Sequence, residues 1–130
     1  MIFSFEQEKL DRIETILSKD LISAGVKCAL LISMGGNIIA KCDDGKFLHD
    51  EYSLAALAAG NFGSVDAMAK LVGEEEFSLL FHKGKNESLH FSRISDNFLL
   101  ITMFGKEISL GLLRLKVSEA VQKLENVCED

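Results

Sequence analysis

Leu10, Ile13, Leu17 and Leu21 recur at three- and four-residue intervals, with Glu6, Glu8, Lys9, Asp11, Arg12 and Glu14 on the other faces. That is the period of an amphipathic helix. Ser4 followed by Gln7 has capping-box spacing at its start, and Gly25 can take the left-handed conformation that stops it. The next segment, KCALLISM, is too short for a buried helix and is bounded by glycine on both sides, so it reads as a strand covered on both faces. Gly35-Gly36 supplies a tight turn and NIIAKC returns as the hairpin partner. After the turn signal Asp43-Asp44-Gly45, a second helix is predicted over about residues 50–71, ended by Gly73 and the acidic run Glu74-Glu75-Glu76. Three more strands follow at about 77–83, 89–94 and 98–104, joined by the short turns Gly84-Lys85-Asn86 and Ser95-Asp96-Asn97. The segment FLLITMF is apolar on both faces and belongs in the middle of a sheet. A last helix opens near Ser109, with Leu113, Val117, Ala120, Val121, Leu124 and Cys128 as its apolar stripe.

Helix, two strands, helix, three strands, helix is an α+β order, and hairpin connections make the sheet mostly antiparallel with helices on its faces. At 130 residues the chain is read as a single domain, residues 1–130.

The second helix breaks the ordinary pattern. Leu54, Leu57, Val65, Met68 and Val72 fall on one side and read as its core stripe. The opposite side should be charged, but it carries Ala56, Gly60, Gly63 and Ala67, flanked by Ala59 and Leu71. Two glycines inside a helix cost on the order of 1 kcal/mol each against alanine, so something must offset them. A smooth Ala/Gly stripe permits close approach of another backbone. The first and last helices each have a single apolar stripe to cover the other sheet face, so nothing in this chain is left to cover a second side of the second helix. The stripe reads as a protein–protein surface. The third strand adds to this: it follows a long helix, begins a meander and belongs at a sheet edge, where Phe77, Leu79, Leu80 and Phe81 are candidates for pairing with a second copy.

Composition narrows the chemistry. A formal charge of −6 and a pI near 5.1 remove the electrostatic basis for nucleic-acid or anionic-membrane binding. The N-terminus lacks the form of a signal peptide and no apolar run suffices for a membrane span, so a cytoplasmic location is expected. Cys28, Cys42 and Cys128 are odd in number and lack CxxC spacing, so they read as reduced structural thiols. His49, His82 and His90 have no metal-ligand spacing, although His82 and His90 lie on adjacent predicted strands. There is no phosphate loop, no dinucleotide fingerprint and no nucleophile motif. The expectation is a protein with no catalytic residues, cofactor or metal of its own.

The hairpin LLISMGGNIIAK, the helix SLAALAAGNFGSVDAMAKLVGEEEF, the stretch FHKGKNESLHF and the tail SLGLLRLKVSEAVQKL also resemble the Roadblock family of small GTPase-associated proteins, across essentially the whole chain. The resemblance is nearest to bacterial members concerned with cell polarity and motility. It implies the profilin-like Roadblock fold: a five-stranded antiparallel sheet with the first and third helices on one face and the second on the other. It further implies a homodimer with paired second helices, whose helical face binds a Ras-like GTPase and stimulates hydrolysis, and a polar placement in the cell. The alternative within the family is a scaffold that binds a GTPase or signalling assembly without accelerating it. Carried over by position, the partner-facing residues are Ala56, Ala59, Gly60, Gly63, Ala67 and Leu71. A GTPase activator often inserts an arginine, but Arg12, Arg93 and Arg114 are placed by the sequence away from the second helix. The expected mechanism is therefore repositioning of the GTPase's own catalytic groups.

Overall fold

The structure, a computed structural model, describes residues 5–47, 49–74 and 79–129. The elements run α1 (Gln7–Ile16), β1 (Cys28–Ser33), β2 (Ile38–Asp43), α2 (Glu51–Leu71), β3 (Leu79–Lys83), β4 (Ser88–Ile94), β5 (Phe98–Phe104) and α3 (Leu110–Glu129). α1 continues through a wide π turn, Leu17–Leu21, and a 3-10 turn, Ile22–Ala24. It stops at Gly25, whose φ of 113° only glycine adopts without strain. The capping-box serine at position 4 lies outside the described residues, as do Phe77 and Ser78 at the start of the third predicted strand.

The five strands form one antiparallel sheet in the order β2-β1-β5-β4-β3. β5 is central and every residue in it is buried, as its two-sided apolar character requires. β3 is an edge strand.

Two cores lie on the two faces of this sheet. On one face Ile13, Leu17 and Leu21 from the first helical segment meet Leu113, Val117, Ala120 and Leu124 of α3 over Leu31 and Leu100. On the other, Ala55, Ala58 and Phe62 of α2 cover Leu30, Ile32, Phe91, Leu99 and Ile101. Alternation along each strand delivers one side chain in two to each layer. α1 and α3 therefore share one face, and among the described residues α2 is the one helix on the other.

The face that α2 buries corrects the sequence reading. Leu57, Met68 and Val72 are not core; they are 73%, 53% and 70% exposed. The contact stripe is Ala55, Ala58, Phe62, Val65 and Ala69, so the helix is rotated by most of a quarter turn from the expected setting. The physical reason is distance. Three alanines let the helix backbone settle close to the sheet, and Phe62 is the large side chain that α2 buries fully beneath it, its ring 6.3 Å from that of Phe91. Of the expected stripe only Val65 is fully buried, with Leu54 half-buried.

Candidate functional site

α2 is fixed at both ends. Asp50 caps its start, accepting the Ser53 amide N–H at 3.1 Å and the Ser53 hydroxyl at 2.7 Å. The Ser53 hydroxyl and then its amide hold the Asp50 carboxyl below the usual carboxylate range. At the other end the Glu74 amide donates to the Ala69 carbonyl at 2.9 Å and the Gly73 amide to the Lys70 carbonyl at 3.2 Å. Gly73 has φ 85°, which completes a Schellman cap. Between the ends, the hairpin turn of β1 and β2 supports the helix from the side. A Cβ on Gly36 would lie 3.3 Å from the Ala56 Cα, so glycine there permits the close approach.

Arg93 of β4 supplies a further anchor. Its guanidinium donates to the Asp66 carboxylate of α2 at 2.5 Å and lies 5.4 Å from the Phe62 ring centroid. The expectation that no arginine lies beside the second helix is thus wrong for Arg93. Alternation in FSRI puts Arg93 on the α2 face of β4, a signal readable from the chain once the sheet order is known. Its side chain is only 8% exposed, so it clamps α2 to the sheet and is not free to reach a partner.

The outward face of the helix is unlike that of an ordinary surface helix. Ala56, Gly60, Gly63, Ala67 and Leu71 are exposed and Ala59 is half-buried against the hairpin turn. A Cβ added at Gly60 or Gly63 meets nothing within 4 Å. No charged residue falls between Glu51 and Asp66. Along the flanks stand Tyr52, Leu57, Met68, Leu71 and Val72, which make up five of the seven large apolar side chains exposed among the described residues. Concentrating them on one element makes a flat, uncharged platform about 31 Å long (1.5 Å per residue), with a groove of small residues in it.

The edge strand β3 starts close in sequence after α2. Leu79 and Leu80 lie on it, and Phe81 is half-buried, stacked on Phe104 at 5.9 Å on the α3 side of the sheet. Of the four candidate pairing residues, then, Phe81 spends its ring on the core and can serve an interface through its backbone.

Acid–base and metal chemistry have little to build on. Burial pushes the Cys28 thiol up to about 12 and the Cys128 thiol up to about 11, so both stay protonated near neutrality. Among the described residues no three His, Cys, Asp or Glu side chains come together as a metal site, and no helix is long and apolar enough to cross a membrane. His82 and His90 sit on adjacent strands but on opposite faces: His82 packs edge-on against Phe91, while His90 pairs across the ladder with Phe81 and faces α3.

His90 has a consequence for stability. It is 1% exposed, and burial, with a smaller contribution from the Arg114 charge, pushes its pKa from 6.5 down to about 4. The unfolded chain therefore takes up a proton between pH 6.5 and 4 that the folded chain refuses. The stabilising effect is complete above the unfolded value and is lost as pH falls, by about 3 kcal/mol across that window. Urea unfolding at neutral pH and near pH 4.5 should show the loss. His90→Phe should flatten this part of the profile, and an unchanged profile would contradict the assignment.

An antiparallel α+β sandwich with a lone, platform-like second helix defines the class of protein, and comparison with known proteins agrees. The family model described as Roadblock/LC7 domain matches residues 13–104, and the chain belongs to that family. Among solved structures it is similar to MglB of Myxococcus xanthus, with a TM-score of 0.89 and 30% identity over 98% of this chain and 95% of that one. It is also similar to the gliding protein MglB of Thermus thermophilus, with a TM-score of 0.89 and 28% identity over 96% and 94% of the two chains. A further MglB structure, described as a tetrameric arrangement, matches with a TM-score of 0.89 and 27% identity over 96% and 93%. The fold itself is the profilin-like one that the sequence resemblance implies.

Proposed function

We propose that this protein is a homodimeric regulator of a bacterial Ras-like GTPase of the MglA kind, which docks on the platform formed by α2. The observation that carries this reading is the outward face of α2: small, uncharged and open at Gly60, Gly63 and Ala67, on a chain similar to MglB throughout its length. The large apolar side chains on the flanks need cover in water, and a second copy offers the same surface to them. Pairing of β3 edges about a twofold axis would bring two such platforms together. Light scattering should give twice the chain mass at tens of micromolar. A monomer there would count against the dimer.

Stimulation of hydrolysis is the proposed activity, with cell polarity or motility as its setting. Arg93 is held in its ion pair with Asp66, Arg12 lies in α1 and Arg114 in α3 on the opposite side of the sheet. The mechanism proposed is therefore to hold the GTPase's switch segments and catalytic groups in their active arrangement, with no arginine inserted. Arg12→Ala, Arg93→Ala and Arg114→Ala should each keep most of the acceleration when rates are compared per folded molecule. A loss of ~10³-fold for any one of them, the size expected of an arginine finger, would overturn this mechanism. The immobilised Arg93 equally suits the second reading, a scaffold that binds the GTPase and leaves its rate unchanged. Formation of a complex without acceleration would select it.

A further inference from the structure

α2 carries a second pattern beside its groove of small residues. Leu54, Asn61 and Met68 are spaced seven apart, and Leu57, Ser64 and Leu71 form a parallel row three residues on. Alternating steps of three and four are the seam of a paired helix, and this one runs for about 26 Å along one flank. Leu57, Met68 and Leu71 are 73%, 53% and 85% exposed, Ser64 is exposed, and Leu54 and Asn61 are half-buried. The centre of the seam lies about 130° around the helix from Gly63, at 3.6 residues per turn. We propose that this seam packs antiparallel on the α2 seam of a second copy. Leu54 then meets Leu71 of the other copy, Leu57 meets its Met68, and Asn61 meets its Ser64 beside the twofold axis.

The occupant follows from the order of residues along the seam. Read outward from its middle it is the same in both directions: a polar pair, then large apolar residues on either side. An antiparallel copy matches every row at once, apolar on apolar and polar on polar, and symmetry makes each match twice. Slipping by one heptad would set Asn61 against a leucine and bury its amide without a partner. The direction follows from the sheet. A twofold axis that joins two β3 edges stands perpendicular to the sheet, so it reverses a helix lying on one face and keeps both helices on the same side. The positions flanking the seam carry no charge, so ion pairs cannot set the register. Asn61 makes no side-chain hydrogen bond among the described residues, and Ser64 has a long one, 3.4 Å, to the Gly60 carbonyl, so both can bond across the axis. This inference rests on the homodimer proposed above and goes beyond it by fixing the flank, the direction and the register. The groove at Gly63 stays open, so one helix serves two partners.

The test is disulfide cross-linking of the full chain under mild oxidation, with light scattering on the same samples. Leu57→Cys and Met68→Cys chains, altered at exposed positions, should fold normally and cross-link strongly when mixed. Each alone should link weakly, because its two copies of the new cysteine lie roughly 16 Å apart along the seam. Wild type, whose own three cysteines are buried or half-buried, is the blank. Asn61→Asp sets two carboxylates beside the axis and should weaken dimerisation roughly tenfold or more. Gly63→Arg should leave the dimer mass unchanged. Strong self-linking of Leu57→Cys and of Met68→Cys would mean parallel helices. No link in the mixture, from a protein that scatters as a dimer, would put the seam elsewhere, and Asn61→Asp that dimerises as tightly as wild type would take Asn61 off the axis. Any of these three overturns the proposal while the homodimer stands. A chain that scatters as a monomer removes the homodimer and the seam together.

Discussion

Gly63→Arg is expected to abolish binding of the GTPase while the domain melts as the wild type does. The side chain at 63 leaves the helix into open space, so an arginine there strains nothing in the fold. Replacing glycine inside a helix should even favour the helix, by about 1 kcal/mol against its unfolded state. For a partner the effect is the reverse. A long charged side chain in a groove of Ala56, Gly60 and Ala67 holds the opposing surface away, or buries a guanidinium without a counter-charge. A loss of binding on the order of 100-fold or more is expected from an unpaired charge in an interface. Ala67→Arg should act in the same way. Calorimetric titration and a melting curve on each variant separate the cases. Gly63→Arg that unfolds would mean the stripe is covered by its own chain, and Gly63→Arg that binds normally would place the partner elsewhere.

Phe62→Ala should cost about 3–5 kcal/mol of stability, the range for deleting a buried aromatic ring. Phe62 is 1% exposed and is the one large ring by which α2 reaches the sheet; its neighbours in the contact stripe are mostly alanine. Removing it leaves a void against Phe91 and takes the aromatic face from under the Arg93 guanidinium, 5.4 Å away. The contrast is Met68→Arg, which the sequence pattern marks as an unfolding substitution and the structure does not. With Met68 53% exposed, its effect on folding should stay within about 1 kcal/mol. Urea denaturation of the two variants checks both statements. A larger loss from Met68→Arg than from Phe62→Ala would restore the original core stripe.

That reversal shows where the sequence was legible. Element order, the central place of FLLITMF, the edge position of the third strand and the sharing of one face by the first and last helices could all be read from periodicity and turns. In α1 and α3 a polar remainder marks the outer face, so Ile13, Leu17, Leu113 and Leu124 had one possible orientation. In α2 that marker is missing. Leucine and methionine drew the core assignment to Leu57 and Met68, when the helix in fact packs through Ala55, Ala58 and Ala69 because small side chains allow a closer approach. The Ala/Gly groove is nonetheless readable from the chain, since Gly60, Gly63 and Ala67 lie outward in either setting. The Arg93–Asp66 clamp and the burial of His90 depend on which strand lies beneath which helix. Those pairings are set by tertiary packing and carry no local signature.

Single-turnover GTP hydrolysis by the Ras-like GTPase of the same organism, with increasing amounts of this protein, would show whether the α2 platform regulates a GTPase. The rate should rise and saturate as the complex fills, with wild-type protein active and Gly63→Arg inactive at concentrations where both are folded. A rate that stays at the intrinsic value across the titration, with no complex formed, would contradict it.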